Sequence, residues 1–145
     1  MPTLLITHCA LLAALDADDH RWPDGGIYVV DNVVRRIGPT NDLPATADIV
    51  IDGRNLVVVP GLVNTHHHFY QTLTRAVPAA QNANLFNWLR TLYPIWAGMT
   101  PEAIYVSTQI AIAELMLSGC TTASDHTYIW PNGARLDDQI QAATE

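Results

Sequence analysis

The first sixty residues alternate short apolar runs with turn-forming residues, the pattern of small β-strands. Leu4-Leu5-Ile6 is the first run, and Ile27-Tyr28-Val29-Val30 follows the Asp24-Gly25-Gly26 turn. Asp31-Asn32 joins that run tightly to Val33-Val34-Arg35-Arg36-Ile37, which predicts a hairpin ended by Gly38-Pro39. Ile49-Val50-Ile51 and Leu56-Val57-Val58-Val59 come next, with Asp52-Gly53 between them. Short β-branched runs with Gly and Asp punctuation predict a small sheet or a sandwich segment over residues 1–59.

At Pro60-Gly61 the pattern changes, and residues 60–145 read as long helical stretches interrupted by strands, a βαβα order that makes the chain α/β. Leu62 to His66 predicts a strand. Thr100-Pro101-Glu102 is a helix start, with a Thr N-cap, Pro at the first helical position and an acid near the positive end of the dipole. That helix is expected to run to about Ser118 and stop at Gly119, a C′ residue. Cys120 to Asp125 predicts a second strand, and another helix begins at Leu136. No stop signal follows before Glu145. Two β/α units are visible where a closed barrel needs eight and about 250 residues, so the expectation is a truncated chain.

Charge and cysteine usage narrow the partners. Fourteen acids stand against seven arginines, with no lysine, for a net charge of −7. That balance argues against a phosphate-backbone partner and leaves a small uncharged ring open as substrate. Cys9 and Cys120 belong to no Cys/His cluster and form no disulfide framework, which suits a reducing cytoplasm. The apolar run from Leu4 to Leu15 has no positive residue ahead of it, contains His8 and leads into Asp16-Ala17-Asp18-Asp19. It therefore reads as strand material, not as a signal peptide, and it is too short to span a bilayer.

The chemistry is concentrated in Pro60-Gly61-Leu62-Val63-Asn64-Thr65-His66-His67-His68. On a strand, side chains alternate, so Leu62, Asn64, His66 and His68 face one way and His67 the other. On a helix the same two histidines would lie about 200° apart. Neutral imidazole is a good zinc ligand, and His66 with His68 would supply half of a four-coordinate site. The alternative is a solvated, tag-like triplet. The position of the histidines after an apolar strand and before Phe69-Tyr70-Gln71 argues against it.

This segment resembles the first barrel strand of the amidohydrolase superfamily, whose pattern is Pro-Gly, two apolar residues, Asn or Asp, any residue, then His-x-His. Phe86-Asn87-Trp88-Leu89, Pro94-Ile95-Trp96, Thr100-Pro101-Glu102 and Ser118-Gly119-Cys120-Thr121-Thr122 are similar to its chlorohydrolase and cytosine-deaminase-like subgroup. The likeness runs over essentially the whole chain. It implies a β-sandwich segment followed by the first β/α units of a distorted (β/α)8 TIM barrel. It also implies a zinc ion, one per site with iron as the alternative, held by His66 and His68. A histidine on strand five and an aspartate on strand eight complete the family's metal site, and a glutamate and a histidine near them move protons. All of these would fall beyond residue 145, so no catalytic residue is expected within this chain.

The stretch from His66 to Arg75 resembles members of this subgroup that act on oxopurines, and the resemblance implies hydrolytic deamination of a purine-like ring, 8-oxoguanine to urate and ammonia. Amine or chloride removal from a triazine is the nearest alternative. A non-catalytic fragment that binds metal or a partner is the alternative of another class. The resemblance implies that Gln71 touches the substrate ring, against the plain reading of a solvated loop residue. Asp125 and His126 either line the pocket or cap the turn after the second strand. Trp88 and Trp96 either roof the site from a long loop or pack in the core. The implied partner is a small heterocycle, with no nucleic acid and no membrane, and a homo-oligomer is left open. The absence of Pro-Cys-x-x-Cys separates the chain from the zinc deaminases that act on polynucleotides.

Overall fold

In the computed structural model, which describes all 145 residues, the chain divides into two units, Met1–Pro60 and Gly61–Glu145. The first unit is built on β1 (Thr3–Cys9), which pairs antiparallel with β4 (Gly25–Val30) and parallel with β6 (Ile49–Asp52). β5 (Val33–Pro39) completes a four-stranded sheet of order β5-β4-β1-β6. The β4–β5 hairpin is closed by Asp31 at a φ of 55°, and the Asp31 N–H donates to the Pro2 carbonyl at 2.8 Å. Aspartate tolerates that left-handed conformation better than most residues do, which is why Asp31-Asn32 reads as a tight turn.

The apolar run from Leu4 to Leu15, read as strand material, forms two strands. β1 ends at Cys9 after an irregularity beyond Ile6, with His8 at a φ of 54°, and β2 (Leu11–Ala13) begins a second sheet. β2 pairs with β3 (Arg21–Trp22) and with β7 (Val57–Val58). At two residues, β3 is too short to leave a periodic signal. Leu5, Cys9, Leu12 and Ala13 are the buried apolar residues of this unit. Gly26 lets β4 approach β1, because a Cβ there would lie 2.4 Å from the Ile6 carbonyl oxygen.

In the second unit, β8 (Leu62–Asn64) pairs parallel with β9 (Cys120–Ala123). The strands are shorter than their apolar patterns suggested, since Leu62 to His66 and Cys120 to Asp125 were the expected spans. The ladder ends because local partners capture the backbone. The Asn64 side-chain oxygen accepts from the His66 N–H at 3.0 Å, and the Ser124 hydroxyl donates to the Thr65 carbonyl at 2.8 Å. Gly61 is required at the start, because a Cβ there would fall 2.1 Å from Thr121 Oγ1.

Between β8 and β9 the chain forms a 3₁₀ segment at Phe69–Thr74, then α1 (Leu85–Trp96) and α2 (Pro101–Leu117). α1 corrects the reading of Trp88 and Trp96 as residues of a long loop. Its N-cap is Asn84, whose side chain accepts from the Asn87 N–H at 3.0 Å, and Pro94 is tolerated near its end. α2 starts with Thr100 accepting from the Ala103 N–H, and Gly119 follows it at a φ of 84°. Its buried stripe is Ile104, Ser107, Thr108 and Ala111, an i, i+3, i+4, i+7 pattern in which two members are polar. Both hydroxyls are satisfied, Ser107 by the Phe69 carbonyl at 2.6 Å and Thr108 by the Ile104 carbonyl at 2.9 Å. α3 (Leu136–Thr144) begins where its apolar pattern does. Tyr70, Leu92, Trp96 and Ile104 form the centre of this core, so Trp96 packs inside instead of roofing the site.

Candidate metal and substrate site

The chain leaves β8 at Asn64, and the next four residues carry three imidazoles. His66 and His68 turn to the same side, and their Nε2 atoms lie 3.3 Å apart. The His68 Nδ1–H donates to the His126 carbonyl at 2.6 Å. That bond fixes the tautomer, so His68 Nε2 carries a lone pair. Two ligand nitrogens each about 2.0–2.1 Å from a tetrahedral zinc ion would stand about 3.3–3.4 Å apart. The observed separation and the fixed tautomer therefore suit His66 and His68 as two donors that would hold one zinc ion. No group of three or more His, Cys, Asp or Glu side chains in the chain is arranged to hold a metal ion.

The His67 ring packs apart from the pair. It lies edge-on against Phe69 at 5.0 Å, and its Nδ1 is buried without a hydrogen-bond partner. Burial lowers its pKa below the usual histidine value, although the Asp125 carboxylate pulls the other way.

The loop after β9 holds the histidines in place. Asp125 Oδ1 accepts from the Phe69 N–H at 2.8 Å, while Oδ2 accepts from the Thr127 hydroxyl at 2.7 Å and the Gln139 amide at 2.9 Å. The His126 N–H donates to the His67 carbonyl at 2.9 Å. Asp125 is thus a clasp between the two loops. His126 acts through its backbone, and its ring lies tilted 5.3 Å from that of His68.

Gln71 lies in the 3₁₀ segment beside this pair. Together with His66, His67, His68, Thr72 and Arg75 it lines an open cavity of about 220 Å3. Its amide nitrogen donates to the hydroxyls of Tyr70 and Tyr128, both at 2.9 Å. Tyr70 is fully buried, and burial together with its Tyr128 neighbour raises its pKa far above that of a free phenol, so it stays protonated. Arg75 is held by Glu114 through two bonds of 2.5 and 2.7 Å. Tyr128 escaped the sequence reading, and Arg75 entered it only as the end of the stretch that begins at His66. Tyr128 is 57 positions from Gln71 and belongs to no motif, so nothing local could have found it.

Residues 57–144 match the amidohydrolase family, and the chain belongs to that family. Over 119 residues it is 50% identical to an 8-oxoguanine deaminase of Pseudomonas aeruginosa, covering 81% of this chain and 26% of that protein. It is also 40% identical over 114 residues to a hydroxydechloroatrazine ethylaminohydrolase of Pseudomonas sp. strain ADP, covering 70% of this chain and 23% of that protein. The chain thus spans about a quarter of the length of these curated relatives. Among solved structures it resembles an atrazine chlorohydrolase from Arthrobacter aurescens TC1 complexed with zinc, at a TM-score of 0.87 and 25% identity. That match covers 97% of this chain and 33% of the other. An adenosine deaminase from Xanthomonas campestris with bound zinc matches at a TM-score of 0.83 and 25% identity, covering 97% of this chain and 31% of the other. No helix is long and apolar enough to cross a membrane.

Proposed function

We propose that this chain is the metal-bearing first part of a zinc-dependent aminohydrolase that converts 8-oxoguanine to urate and ammonia. The observation that carries the reading is the His66–His68 pair, two Nε2 atoms 3.3 Å apart with the His68 tautomer fixed by a backbone carbonyl. The 50% identity to an 8-oxoguanine deaminase supports the substrate. In this reading residues 1–59 contribute to a β-sandwich, and residues 60–145 open a distorted (β/α)8 barrel with β8 as its first strand. The free thiols of Cys9 and Cys120 suit the cytoplasm.

His66 and His68 hold the ion. When bound, zinc supplies Lewis acidity and lets water act as a nucleophile at neutral pH. Water's oxygen replaces the exocyclic amine on the ring carbon, so one C–O bond forms, one C–N bond breaks and ammonia leaves. None of residues 1–145 is assigned a proton-transfer step. The His126 carbonyl keeps the His68 imidazole aimed, Asp125 clasps the loop that carries it, and Gln71 binds the ring from the side of the cavity. A second reading, amine or chloride removal from a triazine, is supported by the 40% identity to the ethylaminohydrolase and by the chlorohydrolase fold match.

Steady-state assays of the complete enzyme on oxopurines, pyrimidines and triazines test the choice. The highest kcat/KM is expected on 8-oxoguanine, and turnover confined to triazines would replace the first reading with the second. Gln71→Leu in the same enzyme should retain its metal and lose about ten- to a hundredfold in kcat/KM on the oxopurine, the effect of one lost hydrogen bond to substrate. The loss should be smaller on a ring lacking the group Gln71 reads. An unchanged kcat/KM across the panel would make Gln71 a bystander.

A further inference from the structure

α3 buries an amide where an apolar side chain would be enough to pack the helix. Gln139 is only 4% exposed. Its Nε2 donates to Asp125 Oδ2 at 2.9 Å and to Thr108 Oγ1 at 3.4 Å. Thr108 gives its own proton to the Ile104 carbonyl, so its oxygen keeps lone pairs for the amide. Gln139 Oε1 lies 3.0 Å from the Thr127 hydroxyl, whose proton it shares with Asp125 Oδ2. The carboxylate fixes which way the amide points. A carboxylate accepts and does not donate, so a flipped amide would set Oε1 against Asp125 Oδ2 with no proton between them.

The group that Gln139 grips reaches His68 by two routes. Asp125 Oδ1 accepts from the N–H of Phe69, the residue that follows His68, at 2.8 Å. Asp125 also precedes His126, whose carbonyl accepts from His68 Nδ1–H at 2.6 Å. A carboxylate bonded through Oδ1 alone could turn about its side-chain torsions. With Oδ2 held from α3 it cannot, and both anchors of His68 keep their places. Partners behind a metal-binding histidine set its orientation, and weakening them lowers affinity without removing a ligand.

We propose that Gln139 is a positioning residue for the metal site, which pins Asp125 so that the Phe69 N–H and the His126 carbonyl keep His68 Nε2 aimed at the ion. This rests on the zinc reading of the His66–His68 pair and brings α3 into that site. The test measures zinc dissociation constants by chelator competition, starting from the complete zinc-loaded enzyme. Gln139→Leu keeps most of the volume and removes the amide. It should weaken zinc binding about tenfold, the lower end of the usual loss for a partner behind a ligand. Gln139→Glu sets two acceptors face to face, and Asp125→Asn sets two donors face to face, so each should weaken zinc binding at least as much. Combining Asp125→Asn with Gln139→Glu exchanges donor and acceptor and lets the bond form again. The affinity of that double variant should return to within about threefold of wild type. Leu92→Ala truncates a fully buried core residue outside this network and should lower the thermal midpoint while leaving zinc affinity unchanged. A Gln139→Leu enzyme within about twofold of wild type in zinc affinity would overturn the inference and leave the metal reading standing. So would losses that simply add in the double variant, or a Leu92→Ala enzyme that loses affinity as Gln139→Leu does. A wild-type enzyme that binds no zinc would overturn the metal reading, and this inference with it.

Discussion

His66→Ala and His68→Ala should each strip the bound metal from the complete enzyme and reduce its turnover to background, whereas His67→Gln should retain the metal. The three residues are consecutive, so composition and local exposure cannot separate them. Their directions can. The Nε2 atoms of His66 and His68 face each other at 3.3 Å, while the His67 ring lies against Phe69. Removing one imidazole takes away half of the donor pair, and the remaining nitrogen cannot hold the ion by itself in the same geometry. Metal content by plasma emission on the three purified variants checks this. Metal loss in His67→Gln with retention in His66→Ala would reverse the assignment of faces.

Trp96→Ala should be the most damaging substitution away from the metal pair, at about 3–5 kcal/mol. Trp96 is fully buried, and its ring meets Tyr70, Trp88 and Tyr93 edge-on at 5.3, 5.3 and 5.4 Å. Deleting the indole opens a cavity at the centre of the aromatic cluster. It also removes an anchor for the site. The indole N–H donates to Thr74 Oγ1 at 3.0 Å, and that hydroxyl donates to the Gln71 carbonyl at 2.9 Å. The expected reading is a fall of about 10 °C in the thermal midpoint. Trp96→Phe, which keeps most of the volume, should cost less than half as much. A Trp96→Ala protein within 1 °C of wild type would mean that this cluster does not hold the unit together.

Features set by near neighbours along the chain were legible from the residues. α2 begins at Pro101 after its Thr100 cap and gives way to Gly119, as the cap, the proline and the glycine each require. The Asp31-Asn32 hairpin and the start of α3 at Leu136 are of the same kind. Even so, the buried stripe of α2 could not be chosen from its pattern. The helix is apolar nearly all round, and the face that packs includes Ser107 and Thr108 while Met116 and Leu117 stay exposed. Partners in space decided that, because the Phe69 carbonyl needed a donor and Ser107 is placed to supply it.

The histidine motif shows the same division within one site. Alternation along a strand is what led to the expectation that His66 and His68 stand apart from His67, because a strand's side chains have a period of two. The strand itself stops at Asn64, and the His68 imidazole is aimed by a bond to the loop after β9. The bond from His68 Nδ1 spans 58 positions, and those that occupy the Gln71 amide reach Tyr70 next door and Tyr128 at 57 positions. Residue types and spacing specify which donors a site can have. Which lone pairs stay free is set by groups that meet only when the chain folds, because a hydrogen bond depends on distance and angle in space, not on separation along the sequence.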